Sequence, residues 1–392
     1  MQTFGRMSII ALLTGVLGVL LFGCSDNDIS VTPTLPLLTK PYPANNATAV
    51  PVLVPLKWTY VDTASSPIFF DLCLGTTSPP PLIESHLTDT IRYVAPLRTG
   101  TTYYWKVLAY SVDGDTAASP VWRFSTSETF VMPLAIGNRW DYSGMSYDYN
   151  FQPESLGIIL GDTLYGTRTE TVTTMDTLPD SIETYVLYSV SNWDGAIIDD
   201  FTYRNNADDG YYTYAYQLFI QPQLKILPRG CSFEFHGRSF ESLAGLHDFV
   251  ATAVQSSAKQ AFDTGIVLED PPLRELAYPL EIGRQWAYRD KDLNGPFDMG
   301  KEVVEKQNLI VSAGQFECYK IRWYWDIDDD GIWDNDIDGY DYVGGIGLLK
   351  REFWIYDITV VDEYGTILGT FDSFDTRELT DYHLNVGFPA AL

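Results

Sequence analysis

Histidine is scarce in this chain: four residues in 392, namely His86, His236, His247 and His383. None sits in an HExxH setting, and the sequence has no GxSxG, P-loop or GxGxxG context either. Zinc-hydrolase helices, nucleophile elbows and nucleotide cradles therefore find no support. Cysteine is equally sparse. Cys24, Cys73, Cys231 and Cys318 show no CxxC, zinc-finger or haem spacing. Basic residues are also few: 25 Lys and Arg face 52 Asp and Glu, for a net charge of −27. Such a field repels phosphate backbones, which argues against nucleic acid, and it attracts cations. Carboxylate pairs suited to glycoside hydrolysis are inevitable among so many acids, so finding one carries no information. The expectation is a protein that is not an enzyme.

Aromatic residues are abundant instead. They make up 14% of the chain, with 26 Tyr and 10 Trp, a composition that suits β-sheet surfaces. The length allows two or three domains.

The first 24 residues read as an address. Arg6 precedes an uncharged run over residues 7–22, which is short for a membrane span. The run ends in Leu21-Phe22-Gly23-Cys24 and resembles the lipobox of bacterial lipoproteins. The resemblance implies cleavage after Gly23 (signal peptide 1–23) and acyl chains on Cys24, with two or more chains giving stable anchoring. Ser25 follows the cysteine, and the resemblance then favours the outer membrane. Removing Cys24 from the count leaves three cysteines and room for at most one disulfide, for which Cys231–Cys318 is an open pairing. Residues 24–36 are polar with two prolines and read as a tether.

Residues 37–127 show short β-patterned runs punctuated by turns, as a sandwich requires. Leu56-x-Trp58, Leu97 with Tyr103 six residues on, Tyr104-Trp105-Lys-Val107, and Trp122-x-Phe124 together resemble a fibronectin type III domain. The spacing of Leu97 and Tyr103 matches that family's tyrosine corner. The resemblance implies a spacer, adhesion or accessory module, and a fold does not by itself give a function.

An internal repeat follows. Pro133-Leu-Ala-Ile-Gly137-Asn-Arg-Trp140-Asp-Tyr142 recurs as Pro279-Leu-Glu-Ile-Gly283-Arg-Gln-Trp286-Ala-Tyr288. Two related β modules are expected, over 129–262 and 278–386, with a linker at 263–277 whose Asp270-Pro271-Pro272 disfavours helix and strand. Trp140 and Trp286 are expected to pack in a core. Apolar residues at helical spacing from Phe240 to Phe262 predict a helix over 239–263, capped by Ser239 and covering a sheet face. The fold class expected is mostly β: an N-terminal Ig-like (fibronectin type III) β-sandwich followed by two antiparallel β modules with one packing helix.

The sharpest chemical signal is Asp326-Ile-Asp328-Asp-Asp330-Gly331-Ile332-Trp-Asp334-Asn-Asp336-Ile-Asp338-Gly339. Carboxylates at alternate positions can curl around a calcium ion, and glycine permits the turn that follows. Asp326, Asp328, Asp330, Asp334, Asp336 and Asp338 are the candidate side-chain ligands, with Ile332 offering its carbonyl. The place of a bidentate Glu is taken by Ile337, so the loop is not an EF-hand. It resembles the acidic loops of thrombospondin-type calcium repeats. The alternative is a solvated acidic loop without an ion, against which the mutual repulsion of seven carboxylates argues.

These features point first to a lipid-anchored scaffold or adhesion protein with protein or glycan partners. Glycan binding, carriage of an apolar ligand and hydrolysis remain as alternatives. A coplanar aromatic surface, a large apolar cavity or a deep pocket with converging acids would distinguish them.

Overall fold

The computed structural model describes residues 37–61, 67–94, 97–112, 116–127, 129–160, 163–217, 230–252 and 265–385. Cys24, the signal segment and the tether lie outside the described residues. The protein is mostly β, with one helix longer than a single turn among the described residues.

Nine strands occupy the first part: β1 (Leu37–Tyr42), β2 (Ala47–Val50), β3 (Pro55–Val61), β4 (Ile68–Gly75), β5 (Leu82–Leu87), β6 (Ile91–Tyr93), β7 (Thr102–Ser111), β8 (Thr116–Ala118) and β9 (Trp122–Thr126). One sheet has the order β1-β3-β6, and the second runs β2-β9-β7-β4-β5 with β8 beside β7. Period-two alternation turns Tyr103, Trp105, Val107 and Ala109 of β7 inward, where they meet Leu56 and Trp58 of the other sheet. Trp58 packs edge-on to Phe70 at 5.5 Å. Each such side chain stabilises the fold by about 1.5–3 kcal/mol. The Tyr103 hydroxyl accepts the Arg98 amide at 3.0 Å, which ties the turn at Leu97 to the sheet.

The rest of the chain forms a single large sheet. Its elements are β10 (Arg139–Gln152), the single turn α1 (Gly157–Leu160), β11 (Leu164–Leu178), β12 (Ile182–Trp193), β13 (Ala196–Ala207), β14 (Gly210–Gln217), β15 (Ser232–Phe235), β16 (Arg238–Phe240) and α2 (Leu243–Thr252). They continue with β17 (Ile266–Ala277), β18 (Gln285–Arg289), β19 (Asp298–Val311), β20 (Gly314–Asp326), β21 (Ile337–Gly344), β22 (Gly347–Val361) and β23 (Ile367–His383). The order is β17-β14-β13-β12-β11-β10-β23-β22-β21-β20-β19-β18, with the β15–β16 hairpin attached to β22.

Three expectations change here. The segments 129–262 and 278–386 do not form two sheets, because β10 of the first pairs along its length with β23 of the second. The stretch 263–277 is not a linker: its described part is strand β17, at the end of the sheet path. Prolines 271 and 272 fit because β17 has a ladder partner on one side only. Its register with β14 also jumps between Thr213 and Ala215, leaving residues 269–272 bulged out. Among the described residues the helix is α2 alone. Ser239 and Phe240 belong to β16, and the Ser242 hydroxyl accepts the Gly245 amide at 3.2 Å in the capping role assigned to Ser239. Residues 253–264 lie outside the described residues.

The repeat is visible as a repeated turn. Gly137 and Gly283 have φ of 91° and 87°, and their amides donate to Val172 O and Val303 O at 2.8 and 2.7 Å. That left-handed backbone favours glycine. Trp140 and Trp286 follow at equal spacing and are both buried, with their Nε1 donating to Ile346 O (2.6 Å) and Arg274 O (3.0 Å).

The end strands β17 and β18 come side by side, and no backbone ladder joins them among the described residues. Side chains close this seam. The Trp286 indole bonds to Arg274 O, Arg289 grips Glu269 through two bonds of 2.8 and 3.2 Å, and Lys301 meets Glu275 at 3.3 Å. The curled sheet thus surrounds an interior, with α2 packed over part of it through Leu243, Leu246, Phe249 and Val250.

Candidate functional site

The acidic loop joins β20 to β21. Asp326 is buried, and its two oxygens accept the amides of Asp330 (3.1 Å) and Gly331 (3.0 Å). Asp326, Asp328 and Asp330 each present an oxygen within 4.8 Å of the others. Gly331, at φ 80°, makes the turn that allows this. Asp334 accepts the Ile327 amide at 2.8 Å, and burial raises its carboxyl above the usual range. Ile332 donates its amide to Asp330 (2.7 Å) and leaves its side chain in solvent.

A second group forms from Asp328, Asp334 and His236, whose ligand atoms also lie within 4.8 Å of one another. His236 sits on the turn between β15 and β16, and its Nε2 is 2.9 Å from Asp336 Oδ2. That hydrogen bond holds the imidazole pKa above its ordinary value. Asp338 stands apart, within β21, paired with Arg322 at 3.2 Å. Asp329 is paired with Lys291. The structure therefore gathers Asp326, Asp328, Asp330, Asp334 and Asp336, separates Asp338, and adds a histidine from a segment 100 positions away. Only the His236-Gly237 turn hints at that histidine in the sequence.

The second site is the interior of the curled sheet. A cavity of about 430 Å³ is lined by β10–β14, β17, β18, β21–β23 and α2. Its size falls in the range of small-molecule sites, roughly 300–1,000 Å³. Alternation along each strand sends Tyr142, Gly144 and Ser146 inward from β10, and Arg168 and Glu170 inward from β11. The walls mix apolar side chains, Leu164, Leu187, Ile198, Leu273 and Phe353 among them, with ion pairs. Arg168 bonds to Glu170 (2.8 Å) and Asp200 (3.0 Å), and Arg351 bonds to Asp341 (2.5 and 2.9 Å). Burial alone would raise the Glu170 pKa, but Arg168, Arg377 and Arg204 together hold it at about 2. Beneath this layer Lys301 lies between the rings of Tyr288 (4.0 Å) and Trp323 (3.7 Å). Burial pulls its pKa down to about 8, against the opposing effect of Glu275 and Asp341.

One row of neighbours across the strands is informative. Asp341, Arg351, Arg377, Gly144, Gly166 and Trp193 are successive cross-strand partners from β21 round to β12. The Trp193 indole fills the space over the two glycines. A Cβ on Gly144 would come within 2.7 Å of the ring, and one on Gly166 within 2.5 Å. Trp193 is half-buried and lines the cavity.

A serine, a histidine and an acid also meet. His247 Nε2 is 2.9 Å from Ser373 Oγ, and Asp375 is 4.0 Å from Nδ1. The hydrogen bonds run the wrong way for a nucleophile. Ser373 is fully buried and gives its proton to Asp148 at 2.8 Å, so the imidazole donates to Oγ instead of taking its proton.

Cys73, Cys231 and Cys318 are all free thiols, so the open Cys231–Cys318 pairing is not formed. Burial pushes the Cys318 thiol pKa up to about 12.

No known family matches the chain, and no curated protein does. Some solved structures share part of its shape. An exported protein of Bacteroides fragilis with a YmcC-like fold aligns with 65% of this chain and 99% of its own, at 12% identity and a TM-score of 0.30. A Parabacteroides distasonis lipoprotein aligns over the same shares at 14% identity and a TM-score of 0.25. An α-L-rhamnosidase of Streptomyces avermitilis, solved with L-rhamnose, aligns with 87% of this chain and 36% of its own, at 9% identity and a TM-score of 0.21. Likenesses this distant carry no functional weight.

Proposed function

We propose that the chain is a non-catalytic, lipid-anchored cell-envelope protein that holds a small polar ligand, of the glycan class, inside its curled sheet. The cavity lined by Trp193 and ionic side chains is the observation that carries this reading. A bare scaffold has no use for buried charges around an open volume, since each costs desolvation energy. Carriage of an apolar ligand is the second reading, because Leu164, Leu187, Leu243, Val250 and Leu273 share the wall with Arg168, Glu170, Asp200 and Arg351. The domain of β1 to β9 then serves as a fibronectin type III-like spacer above the membrane. Titrating the purified chain with a panel of soluble saccharides should give saturable quenching of tryptophan fluorescence, with the ligand recovered unchanged. A panel that produces no saturable response would sink the reading.

Anchoring rests on Cys24. The Cys24→Ser variant should move from the membrane pellet to the soluble fraction, and continued sedimentation with membranes would count against lipid attachment.

The acidic loop supports a structural calcium site. Asp326, Asp328 and Asp330 already converge, and Asp326 is fixed by backbone amides, so little ordering cost remains. Extracellular sites bind with dissociation constants of about 10⁻⁴ to 10⁻³ M, so about 10 mM calcium should add about 1.4–2.7 kcal/mol. The melting temperature should rise by roughly 3 to 10 °C. A melting curve indifferent to both calcium and chelator would reject the site.

A further inference from the structure

A histidine joins the acidic loop from outside it and changes which cation the assembly suits. His236 lies on the two-residue turn between β15 and β16, where φ is positive at both His236 (46°) and Gly237 (66°). The hairpin is attached to β22, and its turn brings the imidazole to Asp328 and Asp334, with one ligand atom of each within 4.8 Å of the others. Calcium is a hard ion that takes oxygen ligands. An imidazole beside carboxylates suits zinc and its neighbours instead.

The imidazole is already oriented. Asp336 stands outside the group of three and accepts a hydrogen bond from Nε2 at 2.9 Å. An ionised carboxylate can only accept, so Nε2 carries the proton, and in the neutral ring the lone pair is left on Nδ1. A carboxylate on the far nitrogen is the usual support of a metal-binding histidine, because it fixes the tautomer and strengthens the ligand. The other oxygen of Asp336, Oδ1, is shut off from solvent and has no hydrogen-bond partner. A shielded carboxylate oxygen without a donor costs the fold its desolvation, and a cation held at the imidazole would offset that cost. Lys291, at the edge of the loop, is taken up by Asp329. Around a tetrahedral zinc at about 2.0–2.2 Å, ligand atoms stand about 3.4 Å apart, so the three groups must draw in slightly. Asp328 can do so, since it is exposed and no hydrogen bond fixes its carboxylate among the described residues. Asp334 is steadied through Oδ2 by the Ile327 amide. We propose that His236, Asp328 and Asp334 form a second cation site, of the zinc class, that ties the β15–β16 hairpin to the loop between β20 and β21. Asp328 belongs to the calcium group as well, and the remaining ligands of the two sites are separate.

Calorimetric titration of the intact, chelator-treated chain with zinc chloride and with calcium chloride tests this, and cobalt(II) serves as a coloured substitute for zinc. Zinc should bind about tenfold or more tighter than calcium, and cobalt should develop visible absorption bands that zinc then abolishes. His236→Asn is the decisive variant, because asparagine before glycine suits a turn with two positive φ angles and spares the hairpin. It should weaken zinc about tenfold or more, erase the cobalt bands and leave calcium binding unchanged. Asp330→Asn should weaken calcium and spare zinc, whereas Asp328→Asn should weaken both. Zinc affinity and cobalt bands that survive His236→Asn would place the ion elsewhere and overturn the site. Equal affinities for zinc and calcium would reduce the group to an unselective acidic loop. No zinc binding would leave His236 as a plain hydrogen-bond partner of Asp336, and either result overturns the proposal whether or not calcium binds.

Discussion

Replacing Arg289 with methionine should cost the large sheet about 3–5 kcal/mol at neutral pH, the usual penalty for stranding one member of a buried ion pair. Both side chains are almost wholly inaccessible, at 3% for Arg289 and 6% for Glu269. The pair also spans the seam between β17 and β18, where side chains alone hold the ends of the sheet together. The loss should depend on pH in a definite direction. Burial already raises the Glu269 pKa above its ordinary value, with Arg289 opposing the rise. Without Arg289 it rises further, so the folded variant binds its proton more readily than the unfolded chain. Stability then falls as pH climbs from the unfolded carboxyl value through the folded one, and the deficit shrinks towards pH 4. Denaturant unfolding at pH 4.5 and pH 7 measures this. The double variant Arg289→Met/Glu269→Met should recover most of the loss, and equal deficits at both pH values would contradict the account.

Trp325→Ala should be as damaging, at about 3–5 kcal/mol. Trp325 has no exposed surface and packs against Trp323 and Phe353 at ring distances of 6.1 and 5.9 Å. Its indole donates to Val250 O at 2.9 Å, which ties α2 to the sheet, and its carbonyl accepts the Asp334 amide at 2.7 Å, which shapes the acidic loop. Trp325→Phe keeps most of the ring but loses the indole bond to Val250 O, so a smaller loss of about 1–3 kcal/mol is expected. Hydrogen exchange in residues 243–252 should then accelerate more than exchange in β10 or β11. Uniform acceleration across the sheet would show that the indole bond does not hold the helix.

What the sequence revealed follows the range of the interactions involved. The convergence of Asp326, Asp328 and Asp330 was legible because they lie close together in one segment and the turn glycine follows them. Period-two alternation exposed the core of the first domain, since Tyr103, Trp105 and Val107 belong to one strand. The repeated turn was legible because Gly137 and Gly283 need the same backbone conformation. Closure of the two repeats into one sheet was not, because it depends on Arg139 meeting His383 from the other end of the chain. Prolines 271 and 272 misled for a related reason: a proline-rich strand is acceptable only at an edge, and position in the sheet is not a local property. The cavity row from Asp341 to Trp193 was hidden most completely. Each member is ordinary in its own segment, and only cross-strand register brings an indole over two glycines beside an arginine.

The seam has a consequence for how the molecule behaves in company. A sheet that ends in free strands offers unpaired amides and carbonyls as a template on which another chain can polymerise. Here β17 and β18 turn those borders towards each other, bridged by Arg289 of β18 and by Lys301 of the adjoining β19, and two prolines that cannot donate interrupt one of them. Full hydrogen-bonded closure would have locked the wall. Closure by side chains denies neighbouring molecules an edge and leaves the wall free of a continuous ladder at one place. A protein crowded beside its own copies gains from such a guarded border.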